Sequence, residues 1–467
     1  MTGCAVVQAY RYALDPTPEQ ERTLRSHCGA QRYAFNWGLR LVRANLDQRA
    51  AERSYGITGA GLTPSLNWSA YGLRKTWNQR KEEVAPWWSE NSKEAYSSGL
   101  ANLANALRNW NDSRTGKRAG RVVRFPRFKS KRAAGSCRFS TGAFGLVEDD
   151  RRHVRLPRIG TVRTHESTRK LFRHLQRGTA RVRSATVAHR LGRWQMSFSV
   201  EITRVDLAPT RPAGVVGIDL GVRYLAVLST GEMVPNPRPL ETALPRLRRL
   251  QRRMTRRSGP DRRTGRLPSR RWLRARARIS ALHLRIRNIR HDGLHKLTTR
   301  LVRTFGTVVI EDLNVSGMLG NRRLSRRVAD VGMAEFRRQI EYKAAWSGVR
   351  VQLADRWFPS SRTCSGCGVV RTKLRLSERT FDCEHCGVVM DRDHNAARNL
   401  AALAGAQAAD TSSLSRRATE NGPAGNPRQT CIARATGNAT GSPMRATRRR
   451  EAMAQDTFSD VSRTVSE

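Results

Sequence analysis

The sequence predicts a multi-domain α/β protein: an N-terminal β-barrel with a helical block inserted in it, then a mixed sheet flanked by helices that carries a small cysteine-bounded insert. Three observations predict it. Two short apolar β-branched runs, Val215-Val-Gly-Ile218 and Val308-Val-Ile310, read as buried strands, and each ends in an acid, Asp219 and Glu311. A tryptophan-rich stretch of helical period lies between β-like runs in the first half of the chain. Two CxxC pairs lie close together near residues 364–386.

Residues 1–14 alternate weakly and suit a strand. In Asp15-Pro-Thr-Pro-Glu-Gln20 a helix starts, with Thr17 as N-cap, Pro18 at the first helical position and Gln20 closing a capping box. The pattern stays helical from about 18 to 115. The segment Arg121–Lys131 is basic and interleaved with aromatics; β-like runs follow at 152–157, 161–165, 181–190 and 194–204. The last two flank Gly192-Arg193 and read as a hairpin. These runs and the first strand make a β-barrel from 1–14 and 120–210, with 15–119 as the helical insertion, although the first strand could equally belong to the helical block.

From 211 the character changes again. Val215–Asp219, Tyr224–Ser229 and Glu232–Val234 read as a β-hairpin followed by a third short strand. Leu244, Leu247, Leu250 and Met254 mark one helical stripe, and Trp272, Ala275, Ile279, Leu282, Ile286 and Ile289 another. Val308–Ile310 is a strand, Met333–Trp346 a helix, Val349–Ala354 a strand, and a short helix runs from Asp393 to about Ala402. Residues 211–359 and 391–404 thus form one sheet-and-helix domain around an insert at 360–390. Beyond 405 the chain has few large apolar residues, and 405–467 is expected to be a disordered tail.

Charge narrows the partners. The 467 residues carry 87 Lys plus Arg against 38 Asp plus Glu, a formal charge of +49 spread along the chain. Such a surface repels itself unless a polyanion neutralises it, which points to nucleic acid. The opposite faces of the two striped helices are crowded with Arg246, Arg248, Arg249, Arg252, Arg253, Arg274, Arg276, Arg278, Arg285, Arg287 and Arg290, a phosphate-facing pattern. Trp37, Trp68, Trp77, Trp87, Trp88 and Trp110 read first as packing between helices, and second as rings that stack on unpaired bases. No apolar stretch is long enough to span a membrane and no signal-peptide core is present, so a soluble, cytoplasmic protein is expected.

Cys364-Ser-Gly-Cys367 and Cys383-Glu-His-Cys386 supply four thiolates at zinc-ribbon spacing, a closed structural Zn²⁺ site. Gly366, Gly368 and Gly387 permit the tight turns around the sulfurs. His385 and His394 read as a surface residue and a local hydrogen-bonding residue. Cys4, Cys28, Cys137 and Cys431 show no framework spacing, which excludes a disulfide scaffold.

Asp219, Glu311 and Asp393, the third in Asp391-Arg-Asp-His-Asn-Ala-Ala-Arg-Asn399, come from two strand ends and a helix start. Three such carboxylates can flank two Mg²⁺ ions about 4 Å apart for in-line phosphodiester hydrolysis. Asp219 is expected to bridge, and Gly217 and Gly221 to leave room for a phosphate. Asp312 and Asp391 compete for the second and third positions; in a strand, residue 312 points away from 311. The trio and its order of elements suit an RNase H-like fold.

These residues match a known family. The chain resembles the TnpB (OrfB) proteins of bacterial insertion sequences through Ala9–Thr17, Phe125–Lys131, Gly217-Ile-Asp-Leu-Gly221, Ile310-Glu-Asp-Leu313, Phe358–Gly368 and Asp391–Asn399, in the family's order over about 1–403. The resemblance implies a RuvC-type nuclease domain interrupted by a zinc ribbon, with catalytic acids at Asp219, Glu311 and Asp393. It also implies a guide RNA, a short motif read beside the target by the barrel and helical recognition domain, and cutting of double-stranded DNA. A strand-transferring transposase and a non-cutting RNA-guided repressor are the alternatives. The oligomeric state is left open.

Overall fold

The computed structural model describes residues 4–131, 135–204, 208–261, 263–375 and 377–418, with Cys4, Arg204 and 406–418 given by backbone alone. Strand β1 (Cys4–Asp15) leads into helices α1 (Pro18–Ser54), α2 (Ala70–Val84) and α3 (Lys93–Arg114). The expected start signal operates: the Thr17 side chain accepts from the Gln20 N–H, and the Gln20 side chain accepts from the Thr17 N–H. Then come β2 (Ser136–Phe139), β3 (Gly145–Leu146), β4 (His153–Leu156), β5 (Gly160–Thr164), α4 (Arg169–Gln176), β6 (Ala180–Arg190) and β7 (Arg193–Arg204). They join β1 in a seven-stranded antiparallel sheet of order β2-β6-β7-β1-β5-β4-β3. Strand β1 pairs with β7 from Cys4 to Leu14, so it belongs to this sheet and not to the helical block.

The β6–β7 turn sits one residue earlier than the sequence suggests. Arg190 pairs with Arg193, and the two central residues, Leu191 and Gly192, have φ of 51° and 78°. Both central residues are left-handed, as in the type I′ turn that matches strand twist, and this register overrides the steric cost at Leu191. Most of the tryptophans pack. Trp77 stacks on Tyr96 at 4.9 Å and meets Trp37 edge-on at 5.1 Å, and Trp110 lies edge-on to Phe125 at 5.0 Å. Buried residues of the sheet and of the three helices form one continuous cluster.

The second half contains β8 (Arg211–Asp219), β9 (Tyr224–Leu228), β10 (Met233–Pro235), α5 (Pro239–Thr255), α6 (Arg270–Thr304) and β11 (Phe305–Glu311). It continues with α7 (Val315–Gly320), α8 (Ser325–Val331), α9 (Met333–Ser347), β12 (Arg350–Ala354), β13 (Thr380–Asp382), β14 (Val389–Asp391) and α10 (Arg392–Ala418). A mixed sheet of order β10-β9-β8-β11-β12 forms its centre, with β8, β11 and β12 parallel. Both faces are covered, as the unbroken apolar runs require. Val216, Ile218, Val308 and Ile310 pack with Leu297 and Leu301 of α6 and Phe336 and Ile340 of α9. Val309 packs on the other face with Leu400 and Ala404 of α10. Odd-numbered residues of β8 and β11 therefore face α10.

Three expectations are corrected. The last helix runs on to Ala418 rather than stopping near Ala402, because the Ala-rich stretch after Asn399 favours helix; the tail expected from 405 thus loses 405–418, and its remainder, 419–467, lies outside the described residues. Arg290 leaves the exposed arginine face: it donates to buried Asp330 at 3.0 Å. Asp330 also accepts from the Leu240 and Glu241 N–H groups at the start of α5, whose own cap residue, Arg238, makes no capping bond. Ile289, placed in the apolar stripe of α6, is instead exposed. No helix among the described residues is long and apolar enough to cross a membrane.

Candidate functional site: strand-end carboxylates beside a four-cysteine knuckle

Strands β8 and β11 run parallel with Gly217 opposite Val309 and Ile218 opposite Ile310, so Asp219 and Glu311 end neighbouring strands on the face covered by α10. Adjacent strands lie about 4.8 Å apart, which brings the two acids side by side. Helix α10 starts beside them. The Asp391 carboxylate accepts from the Asp393 and His394 N–H groups at 2.9 and 3.2 Å, so it caps the helix and is not a free competitor for the site. Asp393, on the first turn, is 13% exposed in its side chain and pairs with Arg392 at 3.5 Å. Asp312 points to the other side, where Arg337 and Arg356 bind it, the latter at 2.7 Å; the bond from Arg337 holds its carboxyl below the usual range.

Half-buried Asp219 reports the company it keeps. Burial first, then the Glu311 and Asp393 charges, push its pKa up to about 8, with Arg392 opposing. The three acids are thus one electrostatic unit. Among the described residues they do not close to within 4.8 Å of one another as the four cysteines do. A site for two ions is wider than a site for one. Each outer acid has its own support. The Ser360 hydroxyl donates to Glu311 Oε1 at 2.6 Å, and the α10 N-terminus lies beside Asp393.

Gly217 is needed for a reason other than phosphate access. A Cβ there would stand 2.1 Å from the Ala397 carbonyl oxygen and 2.4 Å from the Ala401 nitrogen. The missing side chain lets α10 lie against β8 and so sets the distance from Asp393 to Asp219. Gly217→Ala is expected to destabilise the protein by about 3 kcal/mol, read by urea unfolding. An unchanged midpoint would mean that α10 is not packed on β8.

Four sulfurs gather next to this sheet. Cys364, Cys367, Cys383 and Cys386 lie within 4.8 Å of one another, with Sγ–Sγ distances of 3.5 Å for Cys364–Cys386 and 3.6 Å for Cys367–Cys383. Tetrahedral thiolates around Zn²⁺ at about 2.3 Å stand roughly 3.8 Å apart, so the donor set fits zinc. The two knuckles repeat each other. The Gly368 N–H donates to the Cys364 carbonyl at 2.9 Å and the Gly387 N–H to the Cys383 carbonyl at 2.8 Å, both glycines being left-handed. His385 is exposed, and His394 Nε2 lies 3.3 Å from the Ser229 carbonyl oxygen, as expected of both.

The knuckle is clamped to the carboxylates by residues that sequence reasoning passed over. Buried Asn395 donates to the Thr363 carbonyl at 2.6 Å and accepts from the Ser365 N–H at 2.9 Å. Asn399, one turn on, donates to the Ser360 and Thr363 carbonyls at 2.7 and 2.6 Å. Two asparagines spaced four apart on one helix face were the available signal; Ser360 gave none.

A family model described as "Probable transposase" matches residues 197–322, one described as "Cas12f1-like, TNB domain" matches 334–400, and one described as "Helix-turn-helix domain" matches 1–50, which folds here as β1 and most of α1. A Mycobacterium tuberculosis protein named as an RNA-guided DNA endonuclease is 41% identical over 415 residues, covering 85% of this chain and 86% of its own. The chain belongs to the TnpB (OrfB) family. A Streptomyces pristinaespiralis protein of the same description is 35% identical to this TnpB-family chain over 399 residues, covering 85% of it and 89% of the relative. The cryo-EM structure of a Cas12f1–sgRNA–target DNA complex is similar at TM-score 0.48 and 13% identity, over 85% of this chain and 99% of that one.

Proposed function

We propose that this TnpB-family chain is an RNA-guided, Mg²⁺-dependent endonuclease that cuts double-stranded DNA beside a short adjacent motif. The observation that carries it is the strain on Asp219: a carboxylate held between two others, on strand ends, costs stability unless cations are part of the working state. Family membership and the names of its relatives support the guided reaction, and the +49 charge suits an RNA and a heteroduplex held by their backbones.

In this reading the mixed sheet is the centre of a RuvC-type domain and the four cysteines hold a structural Zn²⁺. Asp219, Glu311 and Asp393 would hold the Mg²⁺ ions, with Asp219 the shared ligand. When bound, the ions supply Lewis acidity to the attacking and leaving oxygens of the phosphodiester. Ser360 holds the Glu311 carboxylate in one orientation, and the first turn of α10 does the same for Asp393. The seven-stranded sheet, as a β-barrel, and helices α1–α3 bind guide RNA and read the motif beside the target.

Protein purified with co-expressed RNA and mixed with matched duplex DNA should cut both strands in Mg²⁺. Sequencing the retained RNA should return one guide species; cutting that needs no RNA would refute the guided reading. The "Probable transposase" description favours a second reading, direct strand transfer, which predicts joined DNA ends in the absence of RNA. A non-cutting repressor would have no use for the repelling acids.

A further inference from the structure

We propose that Trp357 is a stacking platform for an unpaired base of the DNA strand that enters the carboxylate site. Its side chain is 84% exposed. A tryptophan gives up more apolar area to water than any other residue at such exposure, so a solvent-facing indole on an otherwise rigid segment calls for a partner.

The segment is rigid because it is fastened on both sides of the ring. Before Trp357, Arg356 donates to the Asp312 carboxylate at 2.7 Å and to the Asp312 carbonyl at 3.3 Å. After it, Phe358 packs against the core shared by β11 and α10, and Ser360 donates to Glu311 at 2.6 Å. The Trp357 N–H itself is held by the Asp355 carboxylate at 2.8 Å. The two fastening points are consecutive residues, Glu311 and Asp312, one of them in the carboxylate unit. The backbone around Trp357 is therefore tied to the end of β11, where Glu311 sits, with little freedom left to lose on binding.

Charge and chemistry select the occupant. The chain's +49 charge favours a polyanion over an apolar protein face, and exposed Arg362 lies five residues beyond the ring, whereas Arg356 is already paired with Asp312. A base offers its π-face to a side chain only when it is unstacked, so the ligand is single-stranded there. Stacking also tolerates any base, as a site must when pairing with a guide chooses the sequence. The assignment rests on the endonuclease reading above.

The test uses the complete ribonucleoprotein, with Trp357→Ala and Trp357→Phe, on duplex targets carrying single abasic positions across the cut region. Trp357→Ala should lower kcat/KM about 10-fold or more, and Trp357→Phe by less than about 3-fold. One abasic position should slow the unaltered protein by a similar factor and have no further effect in Trp357→Ala. Normal cutting by Trp357→Ala, or an abasic profile identical in both proteins, would overturn the assignment, as would loss of bound guide RNA from Trp357→Ala. Asp219→Ala separates the two levels: if it still cuts, the endonuclease reading itself fails; if it is dead while Trp357→Ala is normal, only the role of Trp357 fails.

Discussion

Asp219→Asn is expected to abolish DNA cleavage and, in Mg²⁺-free buffer, to raise the melting temperature. Both effects have one cause. Burial and the neighbouring Glu311 and Asp393 charges push the Asp219 pKa up to about 8, far above the 3.8 of an unperturbed aspartate. The folded protein then binds a proton more tightly than the unfolded chain does, so its stability falls as pH rises from about 4 to about 8 and stays low beyond. Asparagine keeps the shape and removes the charge, and should recover on the order of 2 kcal/mol at pH 8, a rise of a few °C. Below about pH 4 the difference should vanish, because Asp219 is protonated in both states. Mg²⁺ is omitted rather than chelated, so that a metal held by the four cysteines is left in place. Cleavage should drop by at least about 10³-fold, since a neutral amide would be a far weaker ligand than a carboxylate for the proposed Mg²⁺. A melting temperature that falls at pH 8 would mean that Asp219 is not loaded by its neighbours.

Much of this arrangement was legible because strand period and helix start are local signals. Val308 and Ile310 facing one way and Val309 and Glu311 the other follow from alternation alone, and alternation also separated Glu311 from Asp312. The cysteine spacing pointed to a site whose sulfurs do gather. What escaped was tertiary. Gly217 was assigned to phosphate access, whereas its emptiness is filled by the backbone of α10, nearly two hundred residues away in sequence. Ser360 has no pattern of its own; only the fold brings it to Glu311. Arg290 looked like its exposed neighbours until Asp330 arrived from another helix. Local rules also gave way to register at the β6–β7 turn, where Leu191 takes a backbone conformation that its side chain disfavours.

Removing Cys367 from the four-cysteine knuckle, the proposed zinc site, should stop cleavage without releasing guide RNA, and this separation follows from where the knuckle is anchored. The sulfurs of Cys364, Cys367, Cys383 and Cys386 repel as thiolates unless a cation holds them, so Cys367→Ser should loosen the turn around Gly368 and the strand pair β13–β14. That turn is continuous with Ser360–Ser365, which Asn395 and Asn399 tie to α10 and whose first residue orients Glu311. A shift of about 1 Å in a reacting geometry can cost roughly 100-fold in rate, so Cys367→Ser should lose at least that much. Asn395→Ala, which keeps all four sulfurs, should bind zinc normally yet cut about 10-fold more slowly, because it weakens the tie and leaves the Ser365 N–H without its acceptor. The retained RNA should match the unaltered protein in both variants, since α1–α3 and the seven-stranded sheet build their own core. If Asn395→Ala cut at full rate with zinc bound, the knuckle would not be orienting Glu311 through α10, and the loss in Cys367→Ser would have to come from a direct contact between the zinc module and DNA.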